Sequence, residues 1–278
     1  MTGRVLLAGC GDLGMRVAQR LLARGDEVWA LRRSPARDGE HGVRWVRGDL
    51  TQPDSLRALP EGITRVVYSP TPGAREEAAY RAVFVDGLKH LLGVLSGAPL
   101  ERVLFVSSSA VYGEHGDAWV DEETPPSPPG FNGRVLLEAE RWLAAQSVPS
   151  ISLRLAGIYG PGRMQLLERL RAGEARVPRD PPHWSNRIHV DDAAGAVVHL
   201  LGVAAPERVY VGVDDMPLPM HVLYEHLAGL MGAPCPEDGG APPGIGSKRL
   251  SNARLRASGF AFAWPDAREG YRALLRGS

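Results

Sequence analysis

Lysine is almost absent from this chain: of 32 basic residues only Lys89 and Lys248 are lysines, and the acidic residues also number 32. A net charge of zero leaves no field of one sign to hold nucleic acid or an anionic membrane, so neither is expected as a partner. Cysteine is equally scarce. Cys10 and Cys235 cannot make a disulfide framework and neither shows metal-site spacing. With no H-E-x-x-H and no Cys/His cluster, no metal is expected. The absence of a G-x-S-x-G elbow argues against acyl transfer. No internal repeat occurs, and no apolar run is long enough to cross a bilayer. The opening MTGRVLL lacks a basic region followed by a cleavable apolar stretch, so the expected location is cytoplasmic and reduced.

What is present is a soluble-enzyme composition, 44% hydrophobic over 278 residues, enough for one large α/β unit or two intertwined domains. The organising stretch runs from Arg4 to Arg33. Its apolar run Val5 to Ala8 ends in Gly9-Cys10-Gly11-Asp12-Leu13-Gly14, followed by a helical pattern through Val17, Ala18, Leu21 and Leu22 and a second apolar run, Val28 to Leu31. Strand, glycine loop, helix and strand in that order make a dinucleotide-binding pattern. Gly9 allows a sharp turn, Gly11 leaves room for a pyrophosphate, and Gly14 lets the helix approach the sheet. The free N–H groups and positive dipole end of the helix face the phosphates. Cys10 fills the loop as a small residue.

The end of the second strand selects the dinucleotide. An Asp or Glu there holds the ribose 2′-OH of NAD, whereas Arg accommodates the 2′-phosphate of NADP. Here the residues are Arg32, Arg33 and Ser34, either a phosphate clamp or solvated arginines. NADP is the expected cofactor, with NAD as the other possibility.

Strands and helices then alternate. Val43 to Arg47 predicts a third strand ending at Asp49 and Leu50, where Asp49 either reaches an adenine amino group or caps the next turn. Thr64 to Tyr68, Val103 to Val106 and Ile151 to Leu155 predict strands four to six, and Glu207 to Val213 a further one. Ser69 opens a loop at the carboxyl edge, the ligand edge of open α/β sheets. Helices are expected over Arg75 to Ser96 and Asn132 to Gln146. The expected fold is a doubly wound parallel sheet of order 3-2-1-4-5-6, with a seventh strand and a smaller C-terminal substrate lobe. The dinucleotide domain is placed at residues 1–156, with 187–213 returning to it, and the lobe at 157–278.

Taken together, these features resemble the extended short-chain dehydrogenase/reductase family, the sugar-nucleotide epimerase and dehydratase type. Val106 to Gly113 (VSSSAVYG) is similar to the family's serine strand end, and Arg154 to Gly162 (RLAGIYGPG) to its sixth-strand signature. Ile188 to Ala193 (IHVDDA) is similar to its later strand-to-helix turn. Ser251 to Leu255, Gly259-Phe260 and Glu269-Gly270 are similar to its C-terminal pattern. The resemblance implies a nicotinamide-dependent oxidoreductase or epimerase acting on a small molecule, with Ser108 polarising the substrate oxygen. It also implies pairing of the two long helices into a homodimer.

The family's proton shuttle is missing. The Tyr position falls on Asn132 and the Lys position on Leu136, and no Tyr-x-x-x-Lys exists in the chain. A supporting Asn is replaced by Phe84. Asn cannot shuttle a proton and Leu cannot hold a charge, so the chain resembles atypical members. Tyr112 and Tyr159, His115 and His183 are the substitutes the loops offer, but the tyrosines read better as packing residues with a bonded hydroxyl and the histidines as exposed loop residues. Arg154, Arg163 and Arg187 can depress a Tyr pKa, and Arg163 or Arg187 can grip an anionic substrate group. Asp121, Glu122 and Glu123 predict a solvated acidic face. The alternative function is a non-catalytic NADP(H)-binding redox sensor.

Overall fold

A computed structural model describes residues 3–34 and 42–276. Seven strands form the main sheet: β1 (Arg4–Ala8), β2 (Glu27–Arg32), β3 (Arg44–Arg47), β4 (Arg65–Tyr68), β5 (Arg102–Ser108), β6 (Ser150–Leu155) and β7 (Val209–Gly212). Their order is 3-2-1-4-5-6-7, as the alternation predicted. The pairs β1–β2, β1–β4, β2–β3 and β4–β5 are parallel, with Leu6 opposite both Trp29 and Val66. Val5, Leu6, Leu7 and Ala8 are wholly buried, the mark of a central strand covered on both faces.

The chain divides into two compact units. Unit 1 comprises Met1–Ser108, Phe131–Arg154 and Ala194–Tyr210, and unit 2 comprises Ser109–Gly130, Leu155–Ala193 and Val211–Ser278. Unit 1 carries the sheet. Helix α1 (Asp12–Ala23) buries Leu13, Val17, Ala18 and Leu21. The helix expected over 75–96 begins later and changes character midway. It runs as α2 (Glu77–Arg81), a π turn at Ala82–Asp86 and α3 (Gly87–Val94). The wide turn leaves the Val83 carbonyl free to accept a 2.6 Å hydrogen bond from the Tyr68 hydroxyl. Gly87 makes room for that phenol, since a Cβ there would lie 2.9 Å from its oxygen.

Helix α4 (Phe131–Ala144) supplies the other half of this layer. From its second half, Glu140 reaches into the interior. Arg154 of β6 donates to both carboxylate oxygens, and the Ser107 hydroxyl of β5 donates to Oε1 at 2.5 Å. Both charged side chains are about 5% exposed. Arg154 is therefore committed to Glu140, which corrects the expectation that it tunes a tyrosine.

Unit 2 is built from α5 (Gln165–Arg171), the start of α6 (Val190–Gly202), α7 (Met220–Met231), α8 (Ala253–Ala257) and α9 (Ala267–Arg276). A two-stranded parallel pair, Gly157–Tyr159 with Arg187–His189, ties its two family-like segments together. Tyr159, Leu167, Leu170, Leu223, Leu227 and Tyr271 form its core. The predicted acidic face is only partly solvated. The Glu122 side chain is 3% exposed, accepts from the Val211 amide at 2.7 Å and sits 3.7 Å from Arg254, while Glu123 pairs with Arg254 from outside. An Arg partner and a strand-end amide compensate the burial that acidic composition alone argues against.

Asp214 makes unit 2 sensitive to pH. It is 1% exposed, its Oδ1 accepts from the Met216 amide at 3.2 Å, and its Oδ2 has no hydrogen-bond partner among the described residues. Burial pushes its carboxyl up to about 8, helped by the nearby Asp266 charge. Because the folded value lies above the unfolded one, the folded state keeps a proton that the unfolded chain releases. That contribution is complete below the unfolded value and is lost as pH rises to about 8. Between pH 6.5 and 8 the wild type is expected to lose about 2 kcal/mol of stability from this group. Asp214→Asn, which mimics the neutral acid, should remove that slope. Urea unfolding of both proteins at the two pH values checks it, and parallel pH profiles would refute it.

Candidate dinucleotide-binding site

The glycine turn leaves β1 at Gly9 with a φ of +94°, a conformation that L side chains rarely adopt. A Cβ at Gly9 would lie 2.4 Å from Pro70 Cα, so the turn passes directly against the chain leaving β4. Ser69 locks that contact: its amide donates to Ala8 O at 2.9 Å and its hydroxyl to Gly9 O at 3.1 Å. Gly14 packs on the same turn, with its Cβ position 3.1 Å from Gly9 O. Gly11 differs from both. Its φ is −86°, and a Cβ there would meet nothing within 4 Å. That open direction lies beside the first turn of α1, where unpaired amides and the helix dipole favour an anion.

This turn forms one wall of a cleft of about 380 Å³, contained wholly in unit 1. Of the residues expected to bind the cofactor, Gly9, Cys10, Gly11, Arg32, Arg33, Ser34, Asp49, Leu50 and Ser69 line it. Asp12, Leu13 and Gly14 do not. Asp12 pairs with Arg16 at 3.1 Å one turn along, Leu13 is buried, and Gly14 serves the packing of the turn. Thr71 and Gly73 line it from the loop that Ser69 opens at the ligand edge, whereas sequence reasoning missed Thr51, whose only signal is its place just beyond a strand end.

At the end of β2 the arginines face this cleft, whose one carboxylate among the described lining residues is Asp49. Arg32, Arg33 and Ser34 are exposed, and among the described residues no carboxylate pairs with either arginine. The Arg32 guanidinium lies 5.5 Å from the centre of the Trp45 ring, which supports it through its π face. Asp49 uses its Oδ1 to accept from the amide and hydroxyl of Thr51, at 2.9 and 2.8 Å. It therefore shapes its own turn as well as lining the cleft. The Cys10 thiol is pushed up to about 11 by burial, against the opposing charge of Arg32, and so stays protonated as a small wall residue.

The positions expected to carry proton chemistry fare differently. Ser108 is half-buried at the carboxyl end of β5. Asn132 is half-buried in the first turn of α4, and Leu136, one turn on, is 5% exposed. Phe84 packs edge-on to Phe105 with centroids 6.2 Å apart, so an apolar contact replaces the polar support. The two tyrosines follow their packing reading and not the catalytic one. Tyr112 is wholly buried and its hydroxyl donates to Asp121 O at 2.7 Å. Tyr159 is 1% exposed and stacks on Tyr271 at 4.3 Å, and burial drives its phenol away from ionisation. Both are packing residues of unit 2, because a proton shuttle needs access to its substrate. His183 lies in a loop but is buried and not exposed, and burial lowers its pKa. Arg187 donates to Ser185 Oγ at 3.0 Å and to the Tyr224 hydroxyl at 3.3 Å, a largely internal engagement.

Residues 5–229 match the model of the NAD dependent epimerase/dehydratase family. The chain belongs to that family. The resemblance drawn from the motifs is thus correct, and the match spans the glycine turn, the serine strand end and most of α7. A solved structure from Methylobacillus flagellatus, described as an NAD-dependent epimerase/dehydratase, is 42% identical. It has a TM-score of 0.82 and covers 100% of this chain and 99% of its own. The 3-diazoavenalumate denitrifying reductase of a Streptomyces species is 29% identical over 255 residues, 84% of this chain and 83% of the relative. The UDP-glucose 4-epimerase of Thermus thermophilus, solved in complex with NAD, is 25% identical with a TM-score of 0.79 and 99% coverage of both chains. This chain therefore shares an epimerase/dehydratase fold with relatives that reduce and relatives that epimerise.

Proposed function

We propose that this chain is an NADP(H)-dependent oxidoreductase of atypical type acting on a small polar carbonyl or hydroxyl compound. The observation that carries the proposal is an open Gly11 position on one cleft with Arg32, Arg33 and Ser34, for which no carboxylate partner occurs among the described residues. The residues present fit the cofactor. Gly9, Cys10 and Gly11 bring backbone close to a pyrophosphate, Arg33 and Ser34 offer donors to a 2′-phosphate, and Asp49 and Leu50 flank the base. A nicotinamide bound there supplies or accepts hydride. A family relative crystallised with NAD and another named as a reductase support this reading. Ser108 is assigned to polarising the substrate oxygen.

Titration with NADPH and NADH, followed by nicotinamide fluorescence, tests the assignment. NADPH is expected to bind about tenfold or more tightly than NADH, and Arg33→Ala to weaken NADPH alone by about the same factor. Equal affinities, or an unaffected variant, would show that β2 does not read the 2′-phosphate.

One observation favours a second reading. Asn132 and Leu136 leave the shuttle positions without a titratable group, which suits a protein that binds NADP(H) and reports its redox state without turnover. Tight NADPH binding with no oxidation across a panel of carbonyl compounds would select it; steady NADPH oxidation with any one compound would remove it.

A further inference from the structure

Unit 2 holds a cation that no carboxylate among the described residues neutralises. Arg249 and Leu250 form a short strand beside Trp119 and Val120, in parallel register with Arg249 opposite Trp119. The guanidinium carbon of Arg249 lies 4.0 Å from the centre of the Trp184 ring and 6.0 Å from that of Trp119. Its Nε is buried without a hydrogen-bond partner among those residues. Five arginines of the unit differ in this respect. Arg176, Arg179, Arg254, Arg256 and Arg268 all pair with a carboxylate.

The nearby acids are already occupied by N–H donors. Asp117 accepts from the Trp184 indole at 2.7 Å, which fixes the ring under Arg249. Glu114 accepts from the Ser247 amide at 2.7 Å and the Gly116 amide at 2.9 Å. Lys248, one residue from Arg249, spends its ammonium on Gly246 O at 2.8 Å, with no carboxylate within bridging distance among the described residues. In a chain with only two lysines, this one is 3% exposed, so it adds a second, shielded positive charge at the same strand. Trp119 completes the arrangement. It is 58% exposed, an apolar plane left facing solvent beside the cation, and Ile245 nearby in sequence is 53% exposed.

We infer that Arg249 and Trp119 form a binding site for a flat aromatic carboxylate, whose charge is taken by the guanidinium and whose ring stacks on the exposed indole. A guanidinium held rigid on an aromatic face keeps its remaining N–H groups oriented for a carboxylate, and an indole favours a planar apolar partner over an aliphatic one. The site lies in unit 2 alone, and the inference does not depend on dinucleotide binding.

The test uses the full chain and two fluorescent probes of one shape, 2-naphthoate and neutral 2-naphthamide, with binding followed by anisotropy. Naphthoate is expected to bind about tenfold or more tightly than naphthamide. Arg249→Gln should lower naphthoate affinity by at least about tenfold and abolish the preference, and Trp119→Ala should weaken both probes. NADPH affinity and far-ultraviolet circular dichroism report whether each variant is folded. Because Trp119 is exposed, its variant keeps the test open even if Arg249→Gln disturbs the strand. Equal binding of the two probes, no measurable naphthoate binding, or folded variants with unchanged affinity would each overturn the inference.

Discussion

Gly11→Val is expected to leave the chain folded and to abolish dinucleotide binding, whereas Gly9→Val is expected to unfold it. The two glycines are two residues apart and satisfy the same motif, yet their surroundings differ. Gly11 has a φ any residue can adopt, and a Cβ there meets nothing within 4 Å, so a valine is expected to fill the space beside the first turn of α1. Loss of NADPH affinity by about a hundredfold or more, near 3 kcal/mol, should follow with little change in thermal midpoint. At Gly9 the φ of +94° and a Cβ position 2.4 Å from Pro70 combine backbone strain with a backbone clash. A loss of at least about 3 kcal/mol in stability is expected. Thermal unfolding and NADPH titration of both variants check the contrast. A Gly11→Val protein that still binds NADPH normally would move the cofactor out of this cleft.

Glu140→Ala should be among the most destabilising single changes in unit 1. The carboxylate receives Arg154 through two nitrogens and Ser107 through its hydroxyl, all away from water. Removing it leaves a buried guanidinium without its carboxylate, which typically costs about 3–5 kcal/mol. The pair itself contributes far less than that figure, because its attraction mostly offsets the desolvation of two charges. Replacing both partners, as Glu140→Leu with Arg154→Met, is therefore expected to recover much of the loss. Urea midpoints for the single and double variants measure this. A single-variant loss below about 1 kcal/mol would mean that water reaches the site.

The contrast between these two sites bears on how much was legible beforehand. The glycine loop, the strand order and the basic end of β2 could be read because each is local: period, spacing and residue type within one βαβ unit determine them. The loss of the shuttle was equally legible, since a missing Tyr-x-x-x-Lys is a fact about the chain itself. A residue such as Thr51 was not legible, because loops carry no periodicity and their side chains converge only when neighbouring strands stand side by side.

Burial of polar groups was the larger gap. Glu122 read as part of a solvated run and Arg154 as a tuning charge, yet both side chains are inside, as is that of Tyr159, which read better as packing. Composition gives a charged residue a default place at the surface, and only a partner distant in sequence reverses it: Arg254 for Glu122, Glu140 for Arg154, the Tyr271 ring for Tyr159. Thus the sequence by itself determined the α/β class, the dinucleotide loop and the absence of the usual proton shuttle, all set by short-range spacing. The tertiary structure alone decided which glycine is space for a ligand and which is packing, and which charges are paired. Those depend on what long-range folding brings within a few ångströms.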